Sequence, residues 1–576
     1  MFGKCSLRSG FAITAAVCAA FGNSVVSAAT KTPIEHLIVV IGENHTFDNL
    51  FGGYKPIAGQ TINNLLSQGI IKEDGSPGPN FAKAAQVRAT NKVVYKVMPK
   101  HGASFTVLPQ PQTTYATGLP PYVADERFPK SLPNGPFQIT KYVPYDAYLG
   151  DPPHRFFQMW QQIDGGKNDL FAWVSTTVGI GGDNNFGPGY PVPSPENTYQ
   201  GGEALGFYNM SAGDAPLFKN MADRYAISDN YHQSIQGGTG ANFLAIATAD
   251  VAFFNQKGVP AIPFLNQIEN PDPQKGSNNF YQHDGYTGGS YVNCSDNAQP
   301  GVSGIMNYLG SLPYKPFRNG NCDPGTYYLV NNYGLGYTFD GQEKPVGPDH
   351  FTLPPQTVPN LAQALAKNGI SWKWYSGGRE KTKTTAEYCG ICDPFTGFKG
   401  VMTTSLKNRL QGMSEFYADV SAAAGQFPAV SFVRPFESKA GHPANATVPD
   451  WEQFVARLVS QVKRNKELWQ KTAILITVDE GGGYYDSGYV QAVDFFGDGT
   501  RIPLLAVSPW AKQGHVDHTY YDHASIAKFI EHNWDFQPLS GRSRDNLPNP
   551  VHTRDQYIPE NRPAVGDLMN LFQFSP

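Results

Sequence analysis

The stretch HLIVVIGENHTFDNLFG, residues 36–52, decides the fold class. Leu37 to Ile41 is an unbroken apolar run, the pattern of a strand covered on both faces, and Glu43 and Asn44 follow at its carboxyl end. Far along the chain, TAILITVDEGGGYYD repeats the arrangement. Ala473 to Val478 reads as a buried strand that stops at Asp479 and Glu480, and three glycines then let the backbone turn sharply. Ligands of open α/β sheets gather outside the carboxyl ends of the strands. Either acidic pair alone reads as a solvated turn. Two at matching strand ends favour a metal site, because three carboxylates in one crevice raise one another's pKa unless a cation neutralises them. Oxygen donors suit a hard divalent metal.

Working outward, helical patterns alternate with short buried strands, as a doubly wound architecture requires. Further strands are expected at Ile370 to Tyr375, Ala429 to Val433 and Ile502 to Val507. Asp450 is expected to cap a helix whose apolar positions Trp451, Phe454, Val455, Leu458, Val459 and Val462 keep helical spacing and which leads into the strand at Ala473. Helices are also expected over Val358 to Lys367 and Ser525 to Glu531. Between about Pro260 and Pro355 the sequence turns rich in Gly, Asn and Tyr, which reads as an insertion of loops and short β hairpins roofing the site.

A nucleophile candidate lies in SDNYHQSIQGGTGANFLAIATA. Gly237 and Gly238 make a tight turn, Thr239 follows, and Ala241 to Ala249 is small and apolar enough for a buried helix. The Thr239 hydroxyl then sits at a helix amino terminus, where unpaired N–H groups and the dipole favour an alkoxide and a bound phosphate. On local pattern alone, threonine there is a routine cap.

ENHTFDNLFG resembles the ENRSFDHYFG-type opening of the bacterial phosphoesterase family that contains phospholipases C and a group of acid phosphatases. GFYNMSAGDAPLFKNMADRYAISDNYHQSIQGGTGAN resembles its nucleophile segment, and the likeness continues through a PSPE loop, AGHPAN, TVDEGGGYYD, RIPLLAVSPWAKQG and YDHASIAKFIE, from Ile34 to about Trp534. The resemblance implies an α/β, alkaline-phosphatase-like fold with a mainly parallel central sheet flanked by helices, a divalent metal cation and a phospho-enzyme. By position it implies Glu43, Asn44, Asp479 and Glu480 as metal ligands and Thr239 as nucleophile. Asn242 matches an asparagine of the same turn. His154 in DPPHRFFQMW and His442 in AGHPAN match histidines at the phosphate or leaving group, with His523 a weaker candidate and His232 equally readable as structural. The sequence departs from several relatives at YCGICDPFTGF, where Cys389, Cys392 and Asp393 replace histidines.

Lys4 and Arg8 before the apolar run Phe11 to Phe21, and Val26-Ser27-Ala28 after it, read as a secretory signal cleaved after Ala28. The expected organisation is residues 1–28 as signal and 29–576 as one exported catalytic domain, periplasmic or secreted, with no later transmembrane stretch. Export leaves Cys294, Cys322, Cys389 and Cys392, an even number that favours disulfides. The expected pairs are Cys294 with Cys322 and Cys389 with Cys392, over a half zinc site or redox pair at the latter.

At 40% hydrophobic and 16% charged residues the chain is globular, and a net charge of −4 without a basic run argues against nucleic acid. The expected ligand is a phosphate-ester small molecule or a phospholipid headgroup. Whether it is a monoester or a diester stays open, as does the alternative of an exported protein that binds a phosphorylated ligand without turnover.

Overall fold

The structure, a computed structural model, describes residues 29–90, 94–111, 113, 124–177, 201–272 and 289–574. The expected signal peptide, the PSPE loop at 193–196 and residues 273–288 of the expected insertion lie outside the described residues.

The centre is an eight-stranded sheet of β1 (His36–Gly42), β2 (Ala226–Ser228), β3 (Trp372–Ser376), β4 (Leu410–Gly412), β5 (Val430–Arg434), β6 (Thr472–Val478), β7 (Leu504–Val507) and β8 (Val516–Asp517). Their spatial order is β4-β3-β5-β1-β6-β7-β2-β8, and only β7 runs antiparallel to both its neighbours. β1 lies between β5 and β6, and every residue of β1 and β6 is buried, which is why both read as continuous apolar runs rather than alternating ones.

The helices that matter below are α1 (Phe156–Ile163), α2 (Thr239–Thr248), α3 (Val448–Arg464) and α4 (Ala524–Trp534). α2 packs on α4 and on Leu361–Lys367, while α3 packs on Pro216–Arg224 and Met413–Ser421, so two groups of helices flank the sheet. All ten residues of α2 are buried, as its small apolar sequence requires.

The five expected strands are present with ends shifted by up to two residues. β2, β4 and β8 were not expected. At two or three residues each they are too short to carry a periodic pattern. Asp450 is not the cap of α3. Thr447 is: its Oγ1 accepts from the Asp450 amide at 3.4 Å and donates to Asp450 Oδ2 at 2.8 Å, and Pro449 in the first turn fits where no helical N–H is needed. The insertion contains, besides its short strands, a helix at Val302–Gly310 whose buried Val302, Ile305 and Leu309 keep helical spacing.

Both expected disulfides form, Cys294–Cys322 and Cys389–Cys392. Among the described residues no helix is long and apolar enough to cross a membrane.

Candidate active site

The carboxyl ends of β1 and β6 meet. The Asn44 amide donates to Asp479 Oδ1 at 3.3 Å and the His45 amide to the Glu480 carbonyl at 3.2 Å. Asn44 itself adopts φ 62°, a left-handed conformation that asparagine tolerates better than most side chains. Gly482 faces it at φ 60°, and a Cβ there would stand 2.7 Å from Asn44 Cβ. The glycine run after Glu480 is what lets the two turns close on each other.

Asn44 Oδ1 is buried with no hydrogen-bond partner among the described residues, and Asp479 Oδ2 and Thr239 Oγ1 are buried with no partner there beyond each other's groups. Burial, and then the charge of Glu43, push the Asp479 carboxyl well above the usual carboxylate range, while the Thr239 hydroxyl is near enough to pull it slightly back. Such orphaned oxygens on an amide, a carboxylate and a hydroxyl fit a divalent cation, since burying them otherwise costs free energy with no return. Glu480 belongs to the same cluster, its Oε2 accepting from the Gly482 amide at 3.2 Å.

Glu43 is placed differently. Its Oε1 accepts from Arg434 Nη2 at 2.8 Å and lies 2.8 Å from Cys392 Sγ, a disulfide sulfur with no proton to give. Glu43 therefore acts on Asp479 through charge while an arginine compensates it. Cys389 and Cys392, being paired, offer no thiolate. Asp393 of the same loop is committed to Arg379 Nη1 and the Tyr388 hydroxyl, both at 2.9 Å. The departure from histidines thus yields a disulfide wall beside Glu43 and a buried carboxylate, Asp393, that burial pushes above its ordinary range although Arg379 pairs with it.

Thr239 is the first residue of α2, as expected, and Gly238 precedes it in extended conformation. A Cβ on Gly237 would stand 1.7 Å from the Val330 carbonyl, so only glycine lets the turn pass under that strand end. Asn242 spends its whole amide on the turn: Oδ1 accepts from the Ile235 amide at 3.0 Å, and Nδ2 donates to the carbonyls of Ile235 at 3.1 Å and Gly237 at 2.9 Å. Expected at the reacting centre, it instead positions Thr239. Asn332 of the insertion accepts from the Gly240 amide at 2.6 Å, and its neighbour Asn331 accepts from the Phe156 amide at 2.9 Å. One loop therefore ties the nucleophile turn to the start of α1.

His154, just before α1, donates from Nδ1 to the Pro152 carbonyl at 2.6 Å. That fixes Nε2 toward Glu480 Oε1 at 3.4 Å and Asn44 Nδ2 at 3.5 Å. The ring nitrogen stands with the carboxylates and amide. His442 accepts at Nδ1 from the Ala444 amide at 3.3 Å, so its Nε2 proton points toward Asp151 Oδ2 at 4.0 Å. Asp151 also lies 3.7 Å from His154 Nδ1. His523 is behind the site: Nε2 donates to the Asp479 carbonyl at 2.6 Å and Nδ1 accepts from the Tyr231 hydroxyl at 2.9 Å. His232 is structural, held by the Gly499 carbonyl at 2.9 Å.

Sequence reasoning missed Asp151, Arg434 and Asn332. Arg434 had a usable signal, since it is the last residue of a buried strand just as Glu43 and Asp479 follow theirs. Asp151 stands three residues before His154 in DPPH, a spacing that marks nothing by itself.

The profile described as the phosphoesterase family matches residues 34–537. The chain is similar to a non-hemolytic phospholipase C of Burkholderia pseudomallei, 26% identical over 303 residues, covering 44% of this chain and 41% of that one. It is also similar to phospholipase C B of Mycobacterium tuberculosis, 22% identical, covering 94% and 78%. A phosphate-repressible acid phosphatase of Penicillium chrysogenum is 26% identical over 33% of this chain and 46% of its own length. The match thus spans less than half of the first of these relatives.

Proposed function

The chain belongs to the phosphoesterase family, and from that premise we propose that it hydrolyses phosphoric esters through Thr239 as nucleophile. The observation that carries the reading is the Thr239 hydroxyl: buried, at the amino end of a ten-residue helix, and turned to the Asp479 carboxyl among the acidic strand ends.

Asn44, Asp479 and Glu480 would hold a divalent cation, with His154 Nε2 within reach of the same donors and Glu43 standing behind Arg434. When bound, such a cation offsets phosphate charge and lowers the pKa of a hydroxyl. Thr239 Oγ1 gives its proton to water and forms a bond to phosphorus as the bond from phosphorus to the leaving alcohol breaks. The N–H groups opening α2, other than that of Gly240, which Asn332 holds, would balance the charge developing on the phosphoryl oxygens. His442 donates a hydrogen bond from Nε2–H to the departing alcohol oxygen, which takes its proton from water, and Asp151 orients the ring. Water then displaces the threonine, returning its proton and releasing phosphate or a phosphorylated headgroup. Two displacements retain configuration at phosphorus. The expected compartment is the periplasm or the outside of the cell.

The test is release of p-nitrophenol from p-nitrophenyl phosphate and p-nitrophenyl phosphorylcholine by the wild type, Thr239→Ser and Thr239→Ala. Release that survives in Thr239→Ser and disappears in Thr239→Ala supports the nucleophile. Turnover of the monoester alone indicates phosphatase chemistry, and turnover of the choline diester indicates phospholipase C chemistry. Full activity in Thr239→Ala defeats the proposal. Phosphate binding without turnover of either ester would favour the binding-protein reading.

A further inference from the structure

A second group of donors lies outside this site, at the far end of α1 from His154. Asp164 follows the last residue of α1 in left-handed conformation at φ 46°, Asp169 comes five residues later, and His101 opens the short strand His101–Ser104. His101 Nε2 is 2.6 Å from Asp164 Oδ2 and 3.7 Å from Asp169 Oδ1, and one donor atom from each residue lies within 4.8 Å of the others.

Asp164 is fully buried, and its Oδ1 and Asp169 Oδ1 have no partner among the described residues beyond each other's carboxyl. Lys167 Nζ reaches Asp164 Oδ2 at 2.6 Å, but its side chain is 47% exposed. An ordinary ion pair of His101 and Lys167 with Asp164 accounts for Oδ2, and the two carboxyl groups that face each other need a proton or a cation between them. Two carboxylates set this close repel each other unless a positive charge lies between them.

We propose that His101, Asp164 and Asp169 form a second metal site, taking a first-row divalent cation of zinc type. One imidazole and two carboxylates form a set that zinc accepts and that calcium or magnesium, preferring oxygen alone, does not. Tetrahedral zinc places its donors roughly 3.3 Å apart. The His101–Asp169 separation of 3.7 Å is within a few tenths of that, and the His101–Asp164 contact of 2.6 Å is shorter, so an entering cation must part those two. The Val87 amide already donates to the Asp169 carbonyl at 2.9 Å, so the ion would staple the hairpin of Val87–Ala89 and His101–Ser104 to the segment that ends α1. The role is structural and does not depend on the catalytic reading.

The experiment uses the full protein stripped by chelator and titrated with Zn²⁺, with bound metal counted by elemental analysis after desalting. Asp479→Asn, disabled at the other site, is expected to retain one equivalent, and His101→Ala in that background is expected to lose it. The wild-type melting temperature should rise with added Zn²⁺, and less so in His101→Ala. If Asp479→Asn does not fold, a difference of one equivalent between wild type and His101→Ala decides the same point. Equal zinc content in the parent and the His101→Ala protein, or no zinc retained by Asp479→Asn, overturns the proposal.

Discussion

Arg434 holds Glu43 in place, its Nη2 donating to Oε1 across 2.8 Å with both side chains buried. Breaking such a pair strands a charge. Arg434→Met is expected to destabilise the fold by about 3–5 kcal/mol, and adding Glu43→Gln to recover most of it. Urea unfolding of the three proteins measures this, and an unchanged midpoint in the single variant would show that the pair holds nothing.

Asp151 faces both His154 and His442 at 3.7 and 4.0 Å. Asp151→Asn keeps the shape and removes the charge, so kcat should fall roughly 10–100-fold with little change in KM, the usual scale for a residue that orients others. A loss confined to KM would place Asp151 in substrate binding.

Three buried histidines make the fold acid-sensitive. Burial lowers His45 and His523 to about 4 and His232 to about 3 from an ordinary 6.5. The unfolded chain takes up these protons near pH 6.5 and the folded chain does not until about pH 4 or below, so their contribution is complete above 6.5 and is lost as pH falls through that window. The melting temperature should fall accordingly, and His523→Gln should flatten the slope between those limits. A His523→Gln curve displaced in parallel with the wild type would rule that histidine out as a source.

The two disulfides should rank oppositely in stability and in catalysis. Cys294–Cys322 spans 28 residues and its removal should cost about 3–4 kcal/mol by loop entropy, against about 2 kcal/mol for Cys389–Cys392, which spans 3. Because Cys392 touches Glu43, the cheaper loss should disturb turnover more. Paired Cys→Ala variants compared by denaturant midpoint and by kcat check both rankings.

The sheet centre was legible because β1 and β6 are covered on both faces and so advertise themselves as apolar runs ending in carboxylates. The site residues near those ends followed, since position at a strand end is a local property. Roles were less legible. That Asn242 turns inward, that Glu43 is matched by Arg434 and that Asp151 faces two histidines are facts of three-dimensional placement across gaps of up to 391 residues. The edge strands β4 and β8 owe their existence to their neighbours rather than to their own sequence, so no local pattern announced them.

β1 is among the first segments described, and its partners are residues 430–433 and 472–478. During synthesis this largely apolar strand therefore waits with both edges bare while some four hundred residues are added. A polypeptide cut short before β6 would carry an open, fully apolar edge and a half-built site, making it at once inert and prone to stick to its copies. Partial products should turn up as insoluble material rather than as weak enzyme.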